Sequence, residues 1–152
     1  MNLNGTRFGQ IDYTEDDVVV FEEGLIGFAR CREYVLLSTK EGSPFRWLQS
    51  VEDPCLAFLV VDPHYYVDSY APAIEDFEAV KLGIDRDTPC VVYTTAAIPA
   101  GSPSDMTINL AAPIVINPTS RKAKQLVIED PAYTIKHRVF PAANRTEEKQ
   151  AA

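Results

Sequence analysis

The chain has 152 residues, of which 46% are hydrophobic, and this predicts one domain whose core needs neither a disulfide nor a metal. Its formal net charge of -8 disfavours contact with phosphate backbones and anionic lipids, so nucleic acid and membranes are poor candidates as direct partners. The acidity lies in residues 1–100, which carry 17 acidic and 7 basic side chains, against 5 and 7 in residues 101–152.

The three cysteines, Cys31, Cys55 and Cys90, are odd in number and far apart. They therefore offer neither a disulfide framework nor a C-x-x-C motif for a metal or for redox chemistry. Met1 is not followed by a secretory signal, and no apolar run approaches the roughly 18 residues that cross a membrane. These features predict a cytoplasmic protein without a cofactor.

Short apolar runs rich in Val, Ile, Tyr and Phe, bounded by Gly, Pro, Asp or Ser, predict six to nine strands. In the first half of the chain the predicted strands are a short segment around Phe8, Ile11 and Tyr13, followed by 18–21, 34–38, 45–51 and 56–61. Between the second and third of these, Gly24 and Gly27 flank two apolar residues. Glycines at that spacing predict a sharp bend or a bulge.

Residues 69–82 are the best helix candidate, with Ser69 as its cap. Its predicted apolar face consists of Ile74, Phe77, Val80 and Leu82. Strands are predicted again at 90–95, 106–110, 114–116, 126–128 and 133–139. Many strands with at most one or two short helices predict an all-β domain over residues 1–140, either a sandwich or a small barrel. Residues 141–152 have almost nothing to bury, which predicts a disordered tail.

The chain lacks the motifs of common catalytic and phosphate-binding sites, namely G-x-S-x-G, G-x-G-x-x-G and the P-loop. His64 and His137 are predicted to be exposed and structural, and Cys55 and Cys90 to be small buried hydrophobic residues. Cys31 lies between two arginines, a setting that can activate a thiol. The chain is thus predicted not to be an enzyme, and the alternative is a small β-barrel ligand-binding protein or enzyme with a pocket formed by His64 and Cys31.

Each charged cluster can be explained either by a binding function or by solubility alone. Adjacent carboxylates recur at 15–17, 22–23, 52–53 and 75–76, and they suit either the attraction of a basic protein partner or solubility alone. The basic cluster of Arg121, Lys122 and Lys124 follows a turn composition. A solvated loop is the default interpretation there, with RNA binding as the alternative.

Five segments in a fixed order carry a resemblance to a known family. They are FEEGLIGF at 21–28, FRWLQSVEDP at 45–54, LAFLVVDP at 56–63, TINLAAPIVIN at 107–117 and KQLVI at 124–128. Together they resemble the FliW family of flagellar assembly factors over about residues 8–139. Many relatives have Gly-Leu-Pro-Gly where this chain has Gly-Leu-Ile-Gly, so Ile26 retains a backbone donor that proline lacks.

The resemblance implies a compact antiparallel β-barrel-like fold and a cytoplasmic bacterial protein, expected to be monomeric when free. It also implies two protein partners, flagellin and the carbon storage regulator CsrA. In the family, FliW that is free of flagellin binds CsrA and relieves its block on translation of flagellin mRNA. Abundant flagellin captures FliW and restores that block.

Three sets of residues are candidates for partner binding. Carboxylates that can face the basic, RNA-binding regulator are Glu52, Asp53, Glu75, Asp76 and Glu78. Candidates for an apolar flagellin groove, if exposed and not packed in the core around the bend, are Leu25, Ile26 and Phe28. Residues that either close turns or contact a partner are Asn109, Pro113 and Asn117.

Overall fold

The computed structural model describes residues 1–38, 40–85 and 87–140. The strands are β1 (Asn2–Thr6), β2 (Gly9–Asp12), β3 (Val18–Phe21), β4 (Glu33–Leu37), β5 (Phe45–Ser50), β6 (Ala57–Val61), β7 (Val91–Ala97), β8 (Thr107–Ile108), β9 (Ile114–Ile116), β10 (Lys122–Gln125) and β11 (His137–Arg138). The α-helix α1 spans Asp76–Leu82, and short 3-10 helices lie at Glu15–Asp17, Pro63–Tyr65 and Pro103–Asp105.

Seven strands form a closed barrel. They are hydrogen-bonded in the order β7, β6, β5, β4, β3, β10 and β9, and β9 pairs with β7 again. Neighbouring strands are antiparallel except β3 and β10, which pair in parallel at Val20↔Lys122 and Phe21↔Ala123. Closure leaves the barrel strands few unpaired edges. The predicted all-β, barrel-like fold is confirmed, with one parallel pair among its antiparallel strands.

The remaining strands lie outside the barrel. Strands β1 and β2 form a separate hairpin, where the sequence predicted a single segment around Phe8, Ile11 and Tyr13. Strand β8 pairs with the end of β7, and β11 pairs with β8. The predicted strand 133–139 is therefore reduced to the two residues of β11, because only those two find a partner strand.

Alternation along the strands divides the core into an inner and an outer layer. The main cluster contains Val60 and Ile114 among its fully buried side chains. Their neighbours Val61 and Val115 face the opposite side of the sheet, as successive strand residues must, and join two further clusters. Val115 packs there with Leu82 of α1, so the helix covers the outer face of β9.

The predicted helix was too long, and its predicted apolar face was half wrong: Ile74 and Leu82 pack against the barrel as predicted, but Phe77 and Val80 do not. Helix α1 begins after Glu75, because the preceding segment is held extended by Pro72 and by the buried Tyr70, whose hydroxyl donates to Leu110 O at 2.6 Å. Phe77 and Val80 are 55% and 78% exposed. Of the four predicted face residues, Leu82 is the one that is fully buried.

Three further predictions were wrong. The basic cluster begins a strand and not a loop, because β10 starts at Lys122 after the turn closed by the Arg121 N–H bond to Asn117 O. Residues 126–128 are not a separate strand, because they continue the pairing of β10 through the N–H groups of Leu126 and Ile128, which donate to Pro113 O and Ala111 O. Cys55 and Cys90 are exposed, because each lies in the connection before a strand.

The predicted tail at 141–152 lies outside the described residues. No helix among the described residues is long and apolar enough to cross a membrane.

Tyr34 in the barrel provides a test of the packing. Its side chain is fully buried, and its hydroxyl has no hydrogen-bond partner in the described residues. Burial, reinforced by the nearby Cys31 and Glu52, raises the pKa of the phenol. A raised pKa means that the neutral phenol's contribution to stability is present below the ordinary value near 10 and is lost as the pH rises above it.

We therefore expect Tyr34→Phe to change the free energy of unfolding by less than about 1 kcal/mol at pH 7, because no hydrogen bond is lost. Above pH 10 the variant should become more stable than the parent, by up to about 1.4 kcal/mol per pH unit. Urea unfolding at pH 7 and pH 11 measures both effects. Tyr70→Phe is the control, because its lost bond to Leu110 should cost about 1 kcal/mol at pH 7. Equal losses for the two variants at pH 7 would contradict the interpretation.

Candidate functional site

The glycine segment after β3 forms a sharp bend, defined here as residues 24–28. Gly24 and Gly27 have φ angles of +69° and +87°, which favour glycine. The Phe28 N–H donates to Leu25 O at 2.8 Å and closes the turn. A Cβ on Gly24 would meet Ala29 Cα and Phe28 O at 2.6 Å, so the close backbone approach also requires glycine there.

The bend buries one apolar side chain and exposes two. Leu25 is 2% exposed and belongs to the main core cluster. Ile26 is 57% exposed, and Phe28 is 42% exposed with its ring edge-on to Phe58 at 5.1 Å between centroids. The Ile26 N–H donates to Gln125 Oε1 at 2.9 Å, so the donor that a proline would lack holds the bend to the end of β10.

A cleft of about 770 Å³, called the large cleft below, opens on one side of the bend. Its walls are the bend, the residues from Ala71 into α1, and the chain that follows β10. Ile26, Phe77 and Val127 line it and are among the most exposed large apolar side chains of the described chain. Apolar side chains on separate walls of one concave surface are typical of a binding site for another molecule.

The large cleft is strongly acidic. Five carboxylates and one ammonium group line it, namely Glu23, Glu75, Glu78, Glu129, Asp130 and Lys124. Lys124 Nζ lies 2.7 Å from Glu78 Oε1 and 3.4 Å from Glu23 Oε2. Its hydrogen bond to Glu78 is the main cause of the raised pKa of Lys124. Among the described residues that line the cleft, the one cation is thus bound within the protein, and the remaining negative charge faces the cleft.

A smaller cleft of about 400 Å³ lies on the other side of the bend. Phe28, Cys31 and Asp53 line it. The neighbouring carboxylate of Glu52 accepts the backbone N–H groups of Arg32 and Glu33 at 3.1 to 3.3 Å, so it holds the connection into β4. Asp53 similarly accepts the N–H of Cys55 at 2.9 Å. The two predicted carboxylates at 52–53 therefore have structural contacts as well as exposure.

The structure divides the predicted site residues between the two clefts. Glu75, Glu78 and Ile26 meet in the large cleft, and Phe28 and Asp53 line the small one. Asp76 is exposed as the first residue of α1, and Glu52 is exposed beside Asp53. Leu25 is packed in the core around the bend, which the sequence analysis gave as the alternative to an exposed flagellin contact.

Two of the predicted residues of the late segment, Asn109 and Asn117, make turn contacts, whereas Pro113 O accepts the Leu126 N–H across the strand pairing. Pro113 and Asn117 are buried. Asn117 donates to Leu82 O at 2.8 Å and accepts from the N–H of Thr119 at 3.0 Å, so it joins the β9–β10 turn to the end of α1. Asn109 is half-buried and accepts the N–H of Ala111 at 3.1 Å.

The alternative pocket does not bring its two residues together. His64 lines an open cleft of about 400 Å³ with Arg46 and Tyr93, whereas Cys31 lines the small cleft beside the bend. The His64 ring lies between Asp62 Oδ1 at 3.1 Å and Tyr70 O at 2.8 Å. Within residues 1–38, 40–85 and 87–140, no three His, Cys, Asp or Glu side chains are grouped so that they could hold a metal ion.

The basic cluster is largely engaged inside the protein. The Arg121 guanidinium donates to Val18 O and Asp17 O at 3.3 and 3.1 Å. Lys124 is held by its two carboxylates. Two of the three cations that an RNA site would use are therefore directed at the protein's own groups.

The sequence analysis gave no functional role to the carboxylates Glu129 and Asp130 of the large cleft or to its apolar residues Phe77 and Val127. Phe77 was assigned to the apolar face of a helix, and Val127 to a strand. Their sequence signals are those of buried residues, so only the tertiary arrangement reveals them as exposed. No sequence pattern pointed to Gln125. Its side chain links the bend to the chain before β9, because it accepts the Ile26 N–H and donates to Ala112 O.

Comparisons with known proteins agree with the architecture. A family model described as "FliW protein" matches residues 2–139. The chain is 40% identical over 146 residues to the flagellar assembly factor FliW of Geobacter sulfurreducens, covering 96% of this chain and 91% of the relative. It is 34% identical over 152 residues to that of Magnetococcus marinus, covering 100% and 93%. A crystal structure of the flagellar assembly factor FliW superposes with a TM-score of 0.84 at 34% identity, over 93% of this chain and 99% of that one.

The two glycines of the bend should respond unequally to alanine. We expect Gly24→Ala to reduce the free energy of unfolding by at least about 2 kcal/mol, because a left-handed φ and a backbone clash combine. A Cβ on Gly27 would have no atom within 4 Å. Gly27→Ala should therefore reduce the free energy of unfolding by only about 1 kcal/mol, because of the left-handed φ alone. Urea unfolding of both variants measures the difference. Equal losses would show that the close approach at Gly24 does not constrain the bend.

Proposed function

The chain belongs to the FliW family, and on that premise we propose that it is a cytoplasmic flagellar assembly factor that binds flagellin and the translational regulator CsrA in exchange for one another. It acts by binding and not by catalysis. When it is free of flagellin it binds CsrA and relieves repression of flagellin mRNA translation. When flagellin accumulates, it occupies the protein and CsrA is released.

The observation that carries this proposal is the combination of features in the large cleft. Exposed apolar side chains on separate walls suit an amphipathic segment of flagellin, for which Ile26, Phe77 and Val127 would be contacts. The carboxylates around them suit a basic protein. CsrA binds RNA and must present basic surface, so the acidic cleft attracts it where a neutral cleft would not.

Both kinds of contact lie within one concave surface. Ile26 and Glu75 line the same cleft, so a partner large enough to cover one of them restricts access to the other. A shared site explains exchange without a conformational change in the barrel. Phe28 and Asp53 extend the same surface around the bend into the small cleft.

The charge of the large cleft should govern the association rate with CsrA. Glu75 and Glu129 are both exposed, and within residues 1–38, 40–85 and 87–140 neither side chain makes a hydrogen bond or an ion pair. We expect Glu75→Lys combined with Glu129→Lys to slow association about tenfold at low salt, because the steering field is reversed locally. The salt dependence of the rate should also become shallower. Stopped-flow association at several salt concentrations measures both.

A control with the same change in total charge separates local from global effects. Asp16→Lys combined with Glu41→Lys alters two exposed carboxylates that do not line the large cleft. This control should retain an association rate within about twofold of the parent. Equal slowing in both double variants would contradict steering by the cleft. Failure of the parent protein to bind either flagellin or CsrA would contradict the proposed function itself.

The exposed apolar side chains of the large cleft should govern flagellin binding. We expect Ile26→Asp to weaken flagellin about tenfold or more, because it places a charge where the partner buries apolar surface. Its fold should be retained, since the Ile26 side chain is exposed and its hydrogen bond to Gln125 uses only the backbone. Ile98→Asp is the matched control, at a residue that is 48% exposed outside the cleft. Calorimetric titration with flagellin decides, and equal affinities for the two variants would exclude Ile26 as a contact.

A further inference from the structure

The chain that follows β10 has an unpaired backbone edge. The pairing of β10 with β9 continues past Gln125, because Leu126 N–H donates to Pro113 O at 2.9 Å and Ile128 N–H donates to Ala111 O at 2.8 Å. Alternate residues of an extended strand direct their N–H groups to opposite edges. The N–H groups of Val127 and Glu129 therefore point away from this pairing, and neither makes a hydrogen bond within the described residues.

The edge is free because β3 ends early. Strand β10 has β3 as its second neighbour, but their ladder pairs only Val20↔Lys122 and Phe21↔Ala123. Beyond it the chain turns away into the bend, and the contact across the gap is the Ile26 N–H bond to the Gln125 side chain. The large cleft occupies the opening, with Glu23 and Ile26 on one wall and residues 125–131 on another.

The surroundings of this edge select its occupant. A second copy of the chain would bring the same carboxylates against one another, and like charges disfavour that pairing. A basic segment would meet opposite charge from Glu75, Glu129 and Asp130. The exposed side chains of Ile26 and Val127 offer apolar contacts to the residues between its basic ones. Charge complementarity thus favours an extended, basic and partly apolar peptide segment.

We propose that an extended basic segment of CsrA binds by strand addition to the free edge of residues 127–129. The N–H groups of Val127 and Glu129 donate to its carbonyl oxygens, and their own carbonyl groups accept from it. The identity of the partner rests on the proposed function, whereas the mode of binding rests on the edge. Backbone pairing gives affinity here, and the acidic walls give the preference for a basic sequence.

Amide hydrogen exchange on the full chain with full-length CsrA tests the mode of binding. We expect the Val127 and Glu129 amides to exchange at least about tenfold more slowly in the complex. The amide of Ile98, outside the cleft, should exchange at the same rate in both states. Binding of CsrA without protection at 127 and 129 would overturn strand addition and leave the proposed function intact. Protection by flagellin but not by CsrA would overturn the assignment of the edge to the regulator.

A proline variant tests the donor directly. Val127→Pro removes an outward N–H that makes no bond within the protein, and proline is compatible with an edge strand whose N–H faces out. We expect it to lose about tenfold or more of the affinity for CsrA. Val127→Ala, which keeps the donor, should lose much less. Equal affinities for the two variants would overturn the proposal.

The fold of the proline variant can be checked independently. Retained protection of the Leu126 and Ile128 amides shows that the strand beside it is intact, because these donate to Pro113 and Ala111. If the proline variant does not fold, protection in the unaltered chain decides alone. If the unaltered chain binds neither CsrA nor flagellin, the proposed function fails and the identity of the occupant fails with it.

Discussion

The parallel pairing of β3 with β10 is the constraint on which the rest of the structure depends. It closes a barrel whose other neighbouring strands are antiparallel, yet it lasts for only two residue pairs. It ends there because the chain after Phe21 enters the bend, where Gly24 takes a left-handed conformation against the backbone of Ala29. Because the ladder ends at Phe21↔Ala123, the chain after Ala123 continues without β3 beside it, and the large cleft and its free edge lie in the opening that results.

Electrostatics then determine what this opening can accept. Among the described residues, Lys124 is the one cation that lines the large cleft, and Glu78 and Glu23 bind it. Because Glu78 belongs to α1 and Lys124 to β10, this ion pair also fixes the helix beside the cleft. The carboxylates that remain are left for a partner. The remaining carboxylates of the cleft, Glu75, Glu129 and Asp130, come from both the acidic first two thirds and the last third of the chain, so the local charge does not follow from net charge alone.

Local features were predicted well where a local cause sets them. The bend followed from two glycines, and strand β9 followed from a short run of β-branched residues ended by Asn117. Half of the predicted helix face was wrong because α1 has only seven residues and contacts the barrel mainly through Leu82, so periodicity over a longer segment selected Phe77 and Val80 wrongly. Family resemblance supplied the fold and the proposed partners, but not the cleft. Val127 is an exposed wall residue only because a strand distant in sequence stops short of it.

The central claim is that flagellin and CsrA use one surface around the bend. Adding flagellin stepwise to a preformed complex of this chain with labelled CsrA, followed by fluorescence anisotropy and size-exclusion chromatography, tests it most directly. The account predicts that flagellin releases CsrA and that the apparent affinity for CsrA falls in proportion to the free flagellin concentration. A stable complex of all three proteins, with unchanged affinity for CsrA, would contradict it.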